Sequence, residues 1–394
     1  MATRSDSSRV AMRWAKELVE GTTPVGPMTN LRLVSETLAH TKETVVSGEL
    51  RDDAQIPDVV EVGVSAAGDI AFEMQFKEYD QFLEGLLRNT YVTASYTGAG
   101  SAGDIFFEGD PYNRIHTPKD KLPNLKVGMY VKCGGATNAG NNSYFKVTAV
   151  TRDTNNKDVF TVDGPLTEED SSTATIFMSD LRNGTTSMSF TLEKEFKDVA
   201  RFFSFTRMKV ASGSLDLTSR AIATGSFSFM GAQGAHGAAT VGTGTAVAAG
   251  TQDIMNASQN VGSIQEGGAS LATGVQKISF AVDNGLRQQT EVGTKAVTGI
   301  GFGRFNVTGA LTAYFENGNL WAKFLAHTKT SLHFRLIDSD GDRYLFTFPH
   351  IKFTTDTVQA GGNDQDVMED INWQAVLDTD TGITMQIDKF TASM

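Results

Sequence analysis

The sequence predicts a mainly β protein, and three observations carry that prediction. Glycine (39 residues) and phenylalanine (25) far outnumber proline (8) in a chain of 394 residues, which is the composition of strands joined by turns. Stretches with helical periodicity are few and short. The order strand, helix, hairpin, long aromatic strand occurs twice, once towards each end, with a block of short strands between. The predicted architecture is two β-sandwich or half-barrel modules, each with one packed helix, plus a small inserted β domain.

Along the chain, Ser7 or Ser8 as a cap and Val10, Trp14 and Leu18 at i, i+4, i+8 predict a short helix over residues 7–19. "LRLVSETL" and "VVEVGVSAAGDIAFEMQF" then read as strands on either side of an acidic stretch, "VVSGELRDDAQIPD". "EYDQFLEGLLRN" reads as a helix that buries Phe82, Leu86 and Leu87. Residues 93–180 change character. "LKVGMYVKCGG", "SYFKVTAV", "DVFTVDGPL" and "ATIFMSDL" are short strands parted by Gly, Asn and Asp turns, and predict the small inserted β domain. The first module is thus 1–92 with 181–230. Residues 231–274 contain no Lys or Arg. They predict a flexible Gly/Ala/Thr linker, then an arm whose Ile254, Met255, Val261 and Ile264 suit addition to a neighbour. The second module is 275–394, with its helix in "GNLWAKFLAHT".

The repeat supports this division. "GDIAFEMQFKEYDQFLEGLL" aligns with "GALTAYFENGNLWAKFL", Gly68 falling opposite Gly309. "TTSMSFTLEKEFKDVARFFSFTRMKV" aligns with "KTSLHFRLIDSDGDRYLFTFPHIKF", in each case a hairpin running into a long aromatic strand. Phe82, Trp321 and Phe324 are the predicted anchors of helix to sheet. Exposed edges on a doubled module suit the closing of a ring of copies.

Composition narrows the function. A formal net charge of −12 opposes a nucleic-acid reader, which neutralises phosphates with clustered Lys and Arg; it is compatible with a surface that DNA slides past. The single cysteine, Cys133, excludes a disulfide framework or a Cys-rich metal site. The chain start has no apolar run of signal-peptide length, and no window approaches a membrane span of about 18 apolar residues. "DSDGD" (Asp338, Asp340, Asp342) lacks the rest of a calcium loop and reads as a hairpin turn. "GIGFGRF" (Gly299, Gly301, Gly303) is followed by a strand where a phosphate loop needs a helix. The histidines (His40, His116, His236, His327, His333 and His350) form no metal-spaced pair. No catalytic constellation assembles; the reading is a structural protein with no cofactor or metal, not an enzyme.

The stretches "LRLVSETLAHTKETVVSGELRDDAQIPDVVEVGVSAAGDIAFE" and "ISFAVDNGLRQQTEVGTKAVTGIGFGRFNVTGALTAYFENGNLWAKFL" through "SLHFRLIDSDGDRYLFTFPHIKF" resemble the tail tube proteins of siphophages. The likeness covers roughly residues 28–92 and 181–394 and omits the inserted domain. It implies rings of this chain stacked into a hollow, non-contractile tube that conducts the genome during ejection. A doubled module implies trimeric, pseudo-sixfold rings with the inserted domain outside. Implied partners are further copies, a tape-measure protein, tail terminator and tail-tip proteins, and viral DNA that passes without specific binding. The implied location is the virion tail, assembled in the host cytoplasm.

Two acidic stretches are the candidate sites. Glu49, Arg51, Asp52, Asp53, Asp58 and Glu61 form either a solvated surface loop or, as the resemblance implies, a ring-stacking loop, with residues 45–62 ordering only on stacking. Asp364, Asp366, Glu369 and Asp370 form another connecting loop, some of whose carboxylates would face a lumen and repel DNA. The alternatives are a related ring-forming phage or secretion-system component, a capsid decoration protein, or a carbohydrate-binding adhesin. The adhesin would need clustered exposed aromatics in loops, and here the aromatics fall within strands.

Overall fold

The computed structural model describes residues 4–101, 104–152, 157–171, 173–262, 264–271 and 273–393. Its principal elements, in chain order, are β1 (Val10–Lys16), β2 (Ala39–Val46), β3 (Val59–Glu73), α1 (Asp80–Leu87), β4 (Tyr130–Gly134), β5 (Thr175–Arg182), β6 (Phe190–Phe196) and β7 (Arg201–Thr218). After these come β8 (Thr224–Gly231), β9 (Gln233–Gly237), β10 (Val275–Asp283), β11 (Asn306–Tyr314), α2 (Asn319–Leu325), β12 (Thr330–Ile337), β13 (Arg343–Gln359), β14 (Met368–Ala375) and β15 (Gln386–Phe390). The fold is mainly β and antiparallel, as predicted. The repeated order is visible in it: β3, α1, then the β6–β7 hairpin, and again β11, α2, then the β12–β13 hairpin. Among the described residues no helix is long and apolar enough to cross a membrane.

The chain divides into two compact units: residues 1–88, 185–258 and 275–313, and residues 89–184, 259–274 and 314–394. These differ from the division 1–92 with 181–230, 93–180, 231–274 and 275–394 that the sequence pattern predicts. The reason is strand pairing. β10 lies antiparallel along β7 from Ser212↔Asp283 to Thr218↔Lys277, which draws the start of the last module into the first unit. In the second unit β5, the last strand of the inserted domain, pairs with β15 at Asp180↔Asp388.

In the first unit β7 serves two sheets. Its first half pairs with β6 and β9, and its second half with β8 and β10. The changeover falls at Arg207, which has φ +57° beside a bulge in the β6–β7 ladder. The buried carboxylate of Glu17 holds this bend. One oxygen accepts the Arg207 backbone N–H (2.9 Å) and the Thr191 hydroxyl (2.9 Å); the other accepts the Gly21 N–H and the Ser189 hydroxyl, both at 2.6 Å. α1 packs on β7 with Phe82 at the centre of an aromatic cluster, its ring 5.5 Å from Trp14, 5.2 Å from Phe190 and 5.7 Å from Phe227. The buried Asn284 donates to the carbonyls of Leu86 (3.0 Å) and Val210 (3.1 Å), closing the helix end.

Three local expectations are corrected. Residues 7–19 are not a helix: after one 3-10 turn (Ser7–Arg9), β1 runs antiparallel to β6. Val10 and Trp14 are spaced for a strand face as well as for a helix face, and the ladder to β6 decides; Met12 is buried and Leu18 is exposed. The 231–274 segment is not a loose linker. Thr243 and Val247 donate to the carbonyls of Gly26 and Met28, and Met255, wholly buried, donates to Met74. Of the α2 anchors, Trp321 is exposed and Phe324 only half-buried, while Leu320 is the buried residue; Phe82 is buried as predicted.

In the second unit one core cluster gathers Ile105, Phe107, Ile115, Val131, Phe145 and Ile176. β13, which pairs with β12, β14 and β15, carries the buried Phe346, Phe348 and Phe353. "DSDGD" is the turn between β12 and β13, Asp338 accepting the N–H groups of Asp340 (3.0 Å) and Asp342 (2.8 Å). Replacing Glu17 by Leu removes the acceptor for two part-buried N–H groups and for the Ser189 hydroxyl, leaving Thr191 only Thr23. We expect a loss of about 2–4 kcal/mol in denaturant unfolding, and a smaller loss for Glu17→Gln, which keeps one acceptor oxygen.

Candidate functional site

β2 and the first part of β3 form a two-stranded ribbon. All eight residues of β2 are exposed. Among the described residues β2 pairs only with β3, and Val59–Gly63 of β3 only with β2; beyond Ala66, β3 joins β8. Both outer edges of the ribbon therefore carry unpaired backbone groups. Val45 faces Val60 and Val46 faces Val59 across the ladder, and these four side chains are about half exposed (48–54%). A two-stranded hairpin is marginal in water, and open edges with exposed β-branched residues are a template for pairing.

The tip, residues 47–58, is closed by the Ser47 N–H to Asp58 carbonyl bond and turned at Ala54, φ +54°. Arg51 makes a paired contact with Asp53, Nε–Oδ1 3.0 Å and Nη2–Oδ2 2.9 Å; this holds the Asp53 carboxyl below the usual carboxylate range. Glu49, Asp52 and Asp58 join them there, four carboxylates against one guanidinium. Leu50 (99% exposed) and Ile56 (68%) stand among them. Glu61 lies apart, on the stem in β3. It pairs with Lys42 (2.7 Å) and Lys295 (3.7 Å), and the Lys42 hydrogen bond lowers its pKa. Within the single chain the β2–β3 ladder runs from Ala39↔Ala67 to Val46↔Val59. The sequence reading picked out the acids and missed the apolar residues; the signal was the flanking "VV" pairs of "VVSGELRDDAQIPDVVEV".

The second acidic set divides. Asp364 and Asp366 are exposed in the segment between β13 and β14, and Asp370 is exposed on β14. Glu369 is corrected: it is fully buried in β14, on the face that carries Asp356 of β13 one diagonal step away. It faces no solvent. No N–H donor reaches any of the four oxygens. Burial, then the neighbouring Asp356, pushes Glu369 up to about 7, and burial raises Asp356.

A second acid pair went unread in the sequence. Asp180 of β5 faces Asp388 of β15, 1% and 0% exposed. Arg182 Nε donates to Asp180 (3.1 Å), while the Tyr130 N–H (3.2 Å) and the Gln386 amide (2.7 Å) donate to Asp388. Burial raises both, Asp180 to about 6 and Asp388 well above the usual carboxylate range, and the two titrate as a pair. Among the described residues no group of three or more His, Cys, Asp or Glu is placed to hold a metal. His333, stacked on Tyr130 at 5.1 Å, is pushed down to about 4 by burial.

A family model described as phage tail tube protein matches residues 7–375. A search of the curated proteins found no match.

The Glu369 shift has a definite sign. A carboxyl raised in the fold contributes stability below the ordinary carboxylate pKa, and that contribution fades as pH rises through the folded value, here about 7. Glu369→Gln removes the dependence. Its thermal midpoint should exceed that of the parent by a few degrees at pH 8 and lose that advantage at pH 4.5, measured by calorimetry at both values.

Proposed function

The chain belongs to the phage tail tube protein family, and from that premise we propose that it forms rings stacked into the long, non-contractile tail tube of a siphophage, with the β2–β3 ribbon crossing from one ring to the next. The family is structural, not enzymatic, and its members are virion tail components that self-assemble into a tube. The observation that carries the finer reading is the ribbon: a hairpin with open edges, exposed valines and a tip where Leu50 and Ile56 stand exposed among acids, with no further strand along β2 or Val59–Gly63 among the described residues. A surface of this kind is stabilised by a second copy.

The repeated order β3–α1–hairpin and β11–α2–hairpin supports trimeric rings in which each chain supplies two of six similar positions. The inserted domain then decorates the outside. Asp364, Asp366 and Asp370 are the acids available to face the channel, where like charge keeps the genome from adhering. Assembly in the host cytoplasm around a tape-measure protein, between a tail tip and a terminator, completes the reading.

Deletion of residues 47–58 should leave protein that folds, with its thermal transition retained, yet yields no tubes by negative-stain microscopy; tubes of normal length from this variant would refute the stacking role. Phage carrying Asp364→Lys with Asp366→Lys should eject DNA several-fold more slowly, and an unchanged rate removes these acids from the channel.

A further inference from the structure

The first unit holds an apolar hollow of about 400 Å³ at the foot of the ribbon. Its walls are Leu38 and Ala39, where β2 begins, Phe196, Phe203 and Phe205 of the β6–β7 hairpin, and His236 of β9. Phe205 is buried and forms the floor, while Phe203 is 37% exposed and packs edge-on against Phe196 at 5.4 Å. The hollow stays open because β9 crosses it with glycine: a Cβ on Gly234 would lie 2.9 Å from the Phe205 ring. The His40 ring accepts the Gly234 N–H (3.0 Å), fixing that crossing.

Beside the hollow, the β6–β7 turn carries the exposed Lys197 and Arg201, Arg201 lying opposite Phe196 in the ladder, with Asp198 between them paired to Arg9 at 3.0 Å. Lys194 lines the wall and is held by Glu36 at 3.1 Å. The ribbon tip has the opposite character: Leu50 and Ile56 stand free of the surface amid Glu49, Asp52 and Asp58. An apolar knob with an acidic collar and an apolar hollow beside Lys197 and Arg201 thus lie at opposite ends of one eight-residue strand, about 25 Å apart at ~3.3 Å per residue. The ladder along β2 and β3 keeps the tip from its own hollow.

We propose that Leu50 and Ile56 of one copy seat in the Phe196–Phe203–Phe205 hollow of a second copy. The inference rests on the ribbon as stacking arm and names where it lands. Because knob and hollow are different surfaces of each chain, the contact is head-to-tail and leaves one of each free at the ends, so it propagates. Burying the two aliphatic side chains against three aromatic rings supplies the non-directional part of the contact. Lys197 and Arg201 against the acidic collar orient it and make it salt-sensitive.

Cross-linking of the full chain tests this, since the native Cys133 is buried. Leu50→Cys protein mixed with Phe203→Cys protein should give an intermolecular disulfide during assembly, and Leu50→Cys mixed with Val292→Cys should not. Lys197→Glu with Arg201→Glu should cut tube mass at least tenfold with the thermal transition unchanged, and adding Glu49→Lys with Asp52→Lys should restore it. The proposal is overturned by absence of the Leu50–Phe203 cross-link together with full assembly of the Lys197→Glu/Arg201→Glu variant. If the 47–58 deletion still abolishes tubes in that case, the ribbon remains the stacking arm and lands elsewhere.

Discussion

The first unit depends on the bend of β7 at Arg207. A straight strand of 18 residues would belong to one sheet; the turn of the backbone there lets one strand run through two. Glu17 makes the bend tolerable by supplying acceptors to the groups that the bulge strips from the ladder. Those groups are partly buried, where an unmet N–H is costly. The two sheets diverge from this point, and α1 fills the space between them with Phe82. The core is thus a consequence of the bend.

The ribbon follows from the same geometry. β3 is 15 residues long, and β8, its neighbour in the sheet, reaches only from Glu73 to Ala66. In the remainder, Val59–Gly63 pair among the described residues only with β2, while Val64 also bridges Ala296. Its glutamate and lysines (Lys42, Glu61, Lys295) keep the stem in solution, while the valines near the tip stay half exposed. Natural sheets shorten or charge their edges to prevent association; this one retains open edges, as expected where association is the function.

The second unit shows how buried acid pairs behave with a cation and without one. Asp180 with Asp388 keeps Arg182 and two N–H donors. Glu369 with Asp356 has no such help, so the neutral form is favoured and the pKa of Glu369 rises to about 7. Both pairs sit on facing strands, β5 with β15 and β13 with β14, where charge would push the ladder apart.

By itself the sequence determined the β class, both helices, the β6–β7 and β12–β13 hairpins and the acidic tip, because turn residues, aromatic strands and period-3.6 stripes are local signals. Only the tertiary structure decided that residues 10–16 are a strand, since their apolar spacing suits either period until β6 is present. It alone decided that β10 completes the first unit's sheet, because edge complementarity is not written in either strand. It separated Glu369 from its acidic neighbours, for alternation along β14 turns one carboxyl inward and the next outward. It also exposed the valines and the hollow: whether an apolar side chain is covered depends on where the rest of the chain passes, and no window of sequence contains that.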